Sequence, residues 1–119
     1  MARILIVEDN PDNMKLCRAV LAAAGHDVSG LAGGETLTDE MQRQRPDLLL
    51  LDIQLPGEDG FALLARLKAS GSALPPVIAL TAHAMSGDRE RALAAGFDGY
   101  LTKPIDVATF AHTVDAFLR

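Results

Sequence analysis

Leu48-Leu49-Leu50-Leu51-Asp52-Ile53-Gln54-Leu55-Pro56-Gly57 is the stretch whose reading decides the fold. Four consecutive leucines between Pro46 and Pro56 form an apolar run far too short to span a membrane. Such a run reads as a strand buried on both faces of a parallel sheet. Asp52 closes it, and an ionised carboxylate inside such a strand is costly unless it has partners. At the strand's carboxyl end it instead faces the crevice where open α/β sheets bind their ligands, which is a position for chemistry.

Two more runs match it on either side. Ile4-Leu5-Ile6-Val7 is short, apolar and mostly β-branched, and it runs into Glu8-Asp9-Asn10. Val77-Ile78-Ala79-Leu80 follows Pro75-Pro76 and ends at Thr81. Weaker strands are expected at His26 to Gly30, as a polar edge, and at Gly99-Tyr100-Leu101. Helical signals fill the gaps. Pro11 suits a first helical turn, Met14, Cys17, Val20, Leu21 and Ala24 recur at helical spacing, and Gly25 stops that helix. A second helix is expected from Gly33-Gly34 to about Arg45. A third carries the stripe Phe61, Leu64 and Leu67 and stops before Gly71. A fourth, capped by Ser86, runs to about Ala95, and a fifth, capped by Asp106, carries Phe110, Val114 and Phe117. Strand and helix alternate five times with no linker or repeat between them. This predicts one α/β domain over residues 1–119, a five-stranded parallel sheet flanked by five helices. Right-handed crossovers favour the flavodoxin-like strand order 2-1-3-4-5.

Composition narrows the function classes. The 119 residues are 49% hydrophobic and 23% charged with a net charge of −5, ordinary for a globular domain and without a basic footprint for nucleic acid or a membrane surface. The single cysteine, Cys17, leaves no internal disulfide or cysteine-based metal cluster, and its place on the stripe of the first helix suits inert core. His26 and His112 have no ligand spacing and read as solvated or half-buried. No signal-peptide core or transmembrane run is present, so a cytoplasmic location is expected.

The strand order brings Glu8 and Asp9, Asp52, Thr81 and Lys103 together at one end of the sheet. Three carboxylates in one place repel one another and need a cation, and oxygen ligands without His or Cys suit a hard ion such as Mg²⁺. Lys103 adds a point charge and Thr81 a hydroxyl donor, both useful against phosphoryl oxygens. An aspartate can itself be the nucleophile, so the residues point to phosphoryl transfer onto Asp52.

Val7-Glu8-Asp9-Asn10, Leu51-Asp52-Ile53-Gln54-Leu55-Pro56-Gly57, Leu80-Thr81-Ala82 and Lys103-Pro104 occur in this order along the chain. On these motifs the sequence resembles the receiver (CheY-like) domain of two-component response regulators over essentially its whole length, and stand-alone receivers of the DivK type most of all. The resemblance implies that Asp52 accepts a phosphoryl group from a phosphohistidine on a sensor kinase or phosphotransfer protein. It implies Mg²⁺ held by Asp9, Asp52 and the backbone carbonyl of Gln54, with Glu8 acting through water. Lys103 would contact the phosphoryl oxygens and be joined to Pro104 by a cis peptide. Thr81 and Tyr100 would form a switch pair, and Gln54 and His83 would tune the lifetime of the phosphoryl group. Such a protein promotes its own phosphorylation and dephosphorylation but is a signalling protein rather than an enzyme. The sequence ends at Arg119 without a helix-turn-helix, so the expected output is a protein contact on the fourth helix, fifth strand and fifth helix, not DNA binding.

Rival readings lack their marks. A flavin or dinucleotide binder needs a phosphate-cradling loop after a strand, yet the first such loop carries Glu8 and Asp9 and no Gly-x-Gly-x-x-Gly occurs. A haloacid-dehalogenase-like phosphatase would place an Asp-x-Asp pattern after the first strand. A phosphate-independent interaction module would be expected to have lost one of the acids or the lysine, and all are present.

Overall fold

The computed structural model describes all residues except Met1, Ser72, 83–86, Pro104 and Arg119, and for Asp88 the backbone alone. The expected Ser86 cap, the His83 position and the Pro104 peptide lie outside the described residues. Five strands, β1 (Arg3–Val7), β2 (Asp27–Leu31), β3 (Leu48–Asp52), β4 (Val77–Thr81) and β5 (Gly99–Thr102), alternate with α1 (Pro11–Ala23), α2 (Leu37–Gln44), α3 (Gly60–Ala69), α4 (Asp88–Ala95) and α5 (Val107–Leu118). The strands form one sheet in the order β2-β1-β3-β4-β5, every neighbouring pair parallel. The expected order is the observed one.

The apolar runs occupy the middle of this sheet because both of its faces are covered. Leu48 to Leu51 are all 0% exposed, and burying each leucine contributes about 1.5–3 kcal/mol. Period-two alternation divides the sheet into two cores. Ile4, Ile6, Leu48, Leu50, Ile78 and Leu80 face α1 and α5, where Cys17, Leu21, Phe110 and Val114 meet them. Leu5, Val7, Leu49, Leu51, Val77 and Ala79 face α2, α3 and α4, packing with Leu37, Met41, Leu63, Leu67 and Phe97. Cys17 is buried as expected, and burial pushes its thiol up to about 11, which keeps it protonated and inert. No helix among the described residues is long and apolar enough to cross a membrane.

Local chemistry sets the ends of the helices. The Asn10 side chain accepts from the backbone N–H groups of Asp12 and Asn13, both at 3.0 Å, immediately before Pro11. Asp59 caps α3 through Ala62 N at 2.9 Å, and Asp106 accepts from Ala108 N at 3.0 Å at the start of α5, the predicted cap. Three expectations shift. β2 begins and ends one residue later than expected, as an edge strand with no fully buried residue to mark it. α2 starts at Leu37 rather than at Gly33-Gly34, because Gly34 forms a turn to Leu37 N and lies against the Leu63 side chain where a Cβ would collide. In α3 the buried stripe is Leu63, Leu64 and Leu67. Phe61 is only partly buried, edge-on to Phe97 with the Arg91 guanidinium 4.5 Å over its ring.

Candidate functional site

The same alternation that builds the two cores assembles the site. On the α1/α5 face the row Ile4, Ile6 continues to Glu8, the row Leu48, Leu50 reaches Asp52, and Leu101 on β5 leads to Lys103. Ladder hydrogen bonds extend past the strand ends and hold these positions: Glu8 N to Leu31 O at 3.0 Å, Ile53 N to Leu80 O at 2.9 Å and Lys103 N to Thr81 O at 2.7 Å. Three apolar rows thus end in two acids and a base that point the same way. On the opposite face, Val77 and Ala79 lead to Thr81, and Tyr100, which pairs with Ala79, packs into that core.

The charges meet directly. The Lys103 ammonium lies 3.0 and 2.9 Å from the two oxygens of Glu8 and 2.9 Å from Asp52 Oδ2. The side chains of Glu8 and Asp52 are 0% and 1% exposed and that of Lys103 15%, so little water screens them. Burial works against the Lys103 charge, but its hydrogen bonds to Glu8 and Asp52 outweigh it and raise the ammonium pKa above the usual lysine value. Burial raises the Glu8 carboxyl, and the Lys103 hydrogen bond only partly opposes it. Asp52 Oδ1 takes a further bond from Gln54 N at 2.9 Å, so both of its oxygens are satisfied.

Asp9 is the exposed member of the group. Glu8, Asp9 and Asp52 each offer a carboxylate oxygen, and these atoms lie within 4.8 Å of one another. Three negative charges against the one of Lys103 leave the group net negative, and its donors are all hard oxygens. That donor set fits a hard divalent cation, and Lys103 offsets part of the negative charge. A cleft of about 820 Å³, lined in part by Met41, Arg45, Asp47 and Leu74, lies at the opposite end of the strands and contains none of these groups.

Glu8, Asp9, Asp52, Gln54, Thr81 and Lys103 come together here, whereas Tyr100 packs into the core on the α2–α4 side, and two further roles emerge from the packing. The Gln54 carboxamide reaches over the strand ends: its Nε2 donates to Thr81 Oγ1 at 2.5 Å and its Oε1 accepts from Ala82 N at 2.9 Å. Gly60 packs beneath the acceptor loop, its N–H bonded to Ile53 O at 2.9 Å. A Cβ at Gly60 would lie 2.7 Å from both the Asp52 carbonyl oxygen and Ile53 Cα. These are backbone atoms and cannot rotate away. Gly60→Ala is therefore expected to destabilise the protein by about 1–3 kcal/mol in a urea melt, the range for overpacking, and to move the amide resonances of Asp52 and Ile53. Only the packing reveals this close approach.

The sequence profile of the response regulator receiver domain matches residues 4–115. The chain belongs to the response regulator receiver family. It is 41% identical to the polar-differentiation response regulator DivK of Brucella anthropi over 116 residues, covering 97% of this chain and 94% of that protein. DivK of Brucella ovis is 40% identical over the same shares. Among solved structures, the BeF3-activated N-terminal receiver domain of Klebsiella pneumoniae RstA superposes with a TM-score of 0.89 at 32% identity, covering 98% of each chain. A receiver protein from Burkholderia phymatum superposes at 0.84 and 33% identity, over 99% of this chain and 95% of that one. In this receiver the acids and the lysine stand at the carboxyl ends of β1, β3 and β5, on the crevice side of the sheet.

Proposed function

We propose that this receiver is a phosphoacceptor signalling protein in which Asp52 takes a phosphoryl group from a phosphohistidine donor. The observation that carries this is the buried Asp52 carboxylate, bonded to Lys103 Nζ at 2.9 Å at the end of the central strand. In the transfer a carboxylate oxygen of Asp52 bonds to phosphorus as the bond from phosphorus to the donor imidazole nitrogen breaks. That electron pair stays on the imidazole nitrogen, which takes up a proton, and an acyl phosphate remains on Asp52. Lys103 moves from pairing carboxylates to pairing phosphoryl oxygens, and the Thr81 hydroxyl and Ala82 N–H offer further donors. Mg²⁺, held by Asp9, Asp52 and the Gln54 carbonyl with Glu8 acting through water, would supply positive charge against the phosphoryl oxygens. The protein turns over no external substrate apart from this transfer and the later hydrolysis, so we class it as a signalling protein and not an enzyme.

The remaining assignments belong to the same reading. Residues 1–119 act as one unit, in the cytoplasm. The donor is a sensor histidine kinase or a histidine phosphotransfer protein. Output runs through a protein target on the α4–β5–α5 face, biased by Thr81 and the Tyr100 ring, which packs at the edge of the α2–α4 core. His83 and Gln54 set the phosphoryl lifetime.

Intact-protein mass spectrometry after incubation with acetyl phosphate tests the core of this reading. A phosphoryl adduct that needs Mg²⁺ and maps to the peptide containing Asp52 is expected. If acetyl phosphate leaves no adduct and beryllofluoride does not bind, the fold is serving as a phosphate-independent interaction module.

A further inference from the structure

We propose that the Gln54 carboxamide is a built-in competitor that occupies the Ala82 N–H, a donor a phosphoryl oxygen would use, in the unphosphorylated protein. This rests on the reading of Asp52 as phosphoacceptor and concerns how readily the group is accepted, not how long it stays.

Gln54 spans the whole site with three hydrogen bonds. Its backbone N–H donates to Asp52 Oδ1 at 2.9 Å, its Nε2 donates to Thr81 Oγ1 at 2.5 Å, and its Oε1 accepts from Ala82 N at 2.9 Å. The Ala82 N–H lies just past β4, outside helix and strand, and the bond it makes is to this side chain. A backbone N–H has one hydrogen, and Gln54 Oε1 stands on it. A phosphoryl oxygen on Asp52 can take that donor only after the carboxamide swings away.

The amide orientation is fixed by chemistry. Ala82 N can only donate, so the carbonyl end of the carboxamide must face it, which turns the NH₂ end toward Thr81. The carboxamide oxygen therefore sits where an anionic oxygen would sit, as a neutral and weaker acceptor. A phosphoryl group displaces it, and a weaker ligand does so less readily. Gln54 also bridges the β3 and β4 loops, so it holds the Thr81–Ala82 turn in place until displacement. Phosphorylation then exchanges one ligand of this turn for another and frees the carboxamide to solvent, where the exposed Gln54 already lies.

The proposal makes the affinity for a phosphoryl mimic depend on the carboxamide. Beryllofluoride with Mg²⁺ is the suitable probe, since it engages an acceptor aspartate without a hydrolysis step and so isolates acceptance from lifetime. Titrations followed on the Ala82 amide resonance would compare wild type with Gln54→Ala and Gln54→Met. Methionine keeps the length of the side chain but cannot make either bond. Both variants are expected to bind about tenfold more tightly, the scale of releasing two neutral hydrogen bonds offset by rotamer freedom. In the absence of beryllofluoride, the Ala82 amide hydrogen should exchange with solvent faster in both. Unchanged or weaker binding in Gln54→Ala overturns the proposal. So does tightening in Gln54→Ala but not in Gln54→Met, which would trace the effect to bulk rather than to hydrogen bonding. If wild type neither binds beryllofluoride nor forms the acetyl phosphate adduct, the phosphoacceptor reading itself fails. If wild type does both and the variants do not tighten, only the competitor fails.

Discussion

Asp52→Asn should leave a folded protein that takes up no phosphoryl group. An asparagine oxygen is uncharged and a poor nucleophile, so the acyl phosphate cannot form at that position. The fold survives because Lys103 retains both of its bonds to Glu8, at 3.0 and 2.9 Å. The cost comes from the second terminal atom of the side chain. Asp52 accepts on both oxygens, from Gln54 N and from Lys103 Nζ. An asparagine can offer an oxygen to only one of these donors and must set its NH₂ group against the other. One mismatched pair in a buried site costs about 1–3 kcal/mol, less than the stability of an ordinary domain. The substitution also removes one of the three carboxylates that would hold Mg²⁺, so the affinity for the ion should fall. Intact mass with acetyl phosphate and Mg²⁺, read beside a urea melt, separates the two effects. An adduct that persists on the folded variant would place the acceptor on another carboxylate, with Asp9 the first to examine.

Much of this architecture could be read before any coordinates, and the reason is the sheet. A strand covered on both faces must be apolar throughout, so Ile4–Val7, Leu48–Leu51 and Val77–Leu80 announced themselves as the three central strands. The polar residues that end those runs had to lie at the carboxyl edge, which located Glu8, Asp52 and Thr81. Lys103 followed from its place after the fifth strand. Where one face meets water, the signal weakened. β2 carries no fully buried residue and its limits shifted by one. α2 was expected to open at Gly33-Gly34, whereas Gly34 is there to make room for Leu63. Contacts between distant segments were beyond the sequence altogether. The His26 imidazole, expected to be solvated or half-buried, is half-buried and in addition bonds Asp115 at 2.7 Å and accepts from Ala2 N at 3.2 Å, tying the start of β2 to α5. Likewise, the sequence placed Gln54 beside the acceptor by resemblance, but only the fold shows its carboxamide lying across Thr81 and Ala82.

Lys103→Met should produce the largest loss of stability. The stem of methionine replaces most of the packing of the lysine, so what disappears is the charge. Glu8 and Asp52 would then share a site from which water is nearly excluded, with no cation among the described side chains bonded to either. Leaving buried charge unpaired in this way costs about 3–5 kcal/mol. The pH dependence identifies the cause. Burial already holds the Glu8 carboxyl above its usual 4.5, so the folded state binds this proton more readily than the unfolded chain does. The stability that this contributes is fully present below pH 4.5 and is lost as pH rises through the folded-state value. Removing Lys103 takes away the hydrogen bond that opposes the rise, so the loss becomes larger and extends to higher pH. The gap between wild type and variant should therefore be small in acid and widen toward neutrality, in urea melts repeated across that range. Adding Glu8→Gln should recover part of it at neutral pH, and Mg²⁺ should do the same by supplying the missing charge. A gap that stays constant with pH would instead assign the loss to the packing of the lysine stem. A variant as stable as wild type at neutral pH would mean that the two acids do not depend on Lys103.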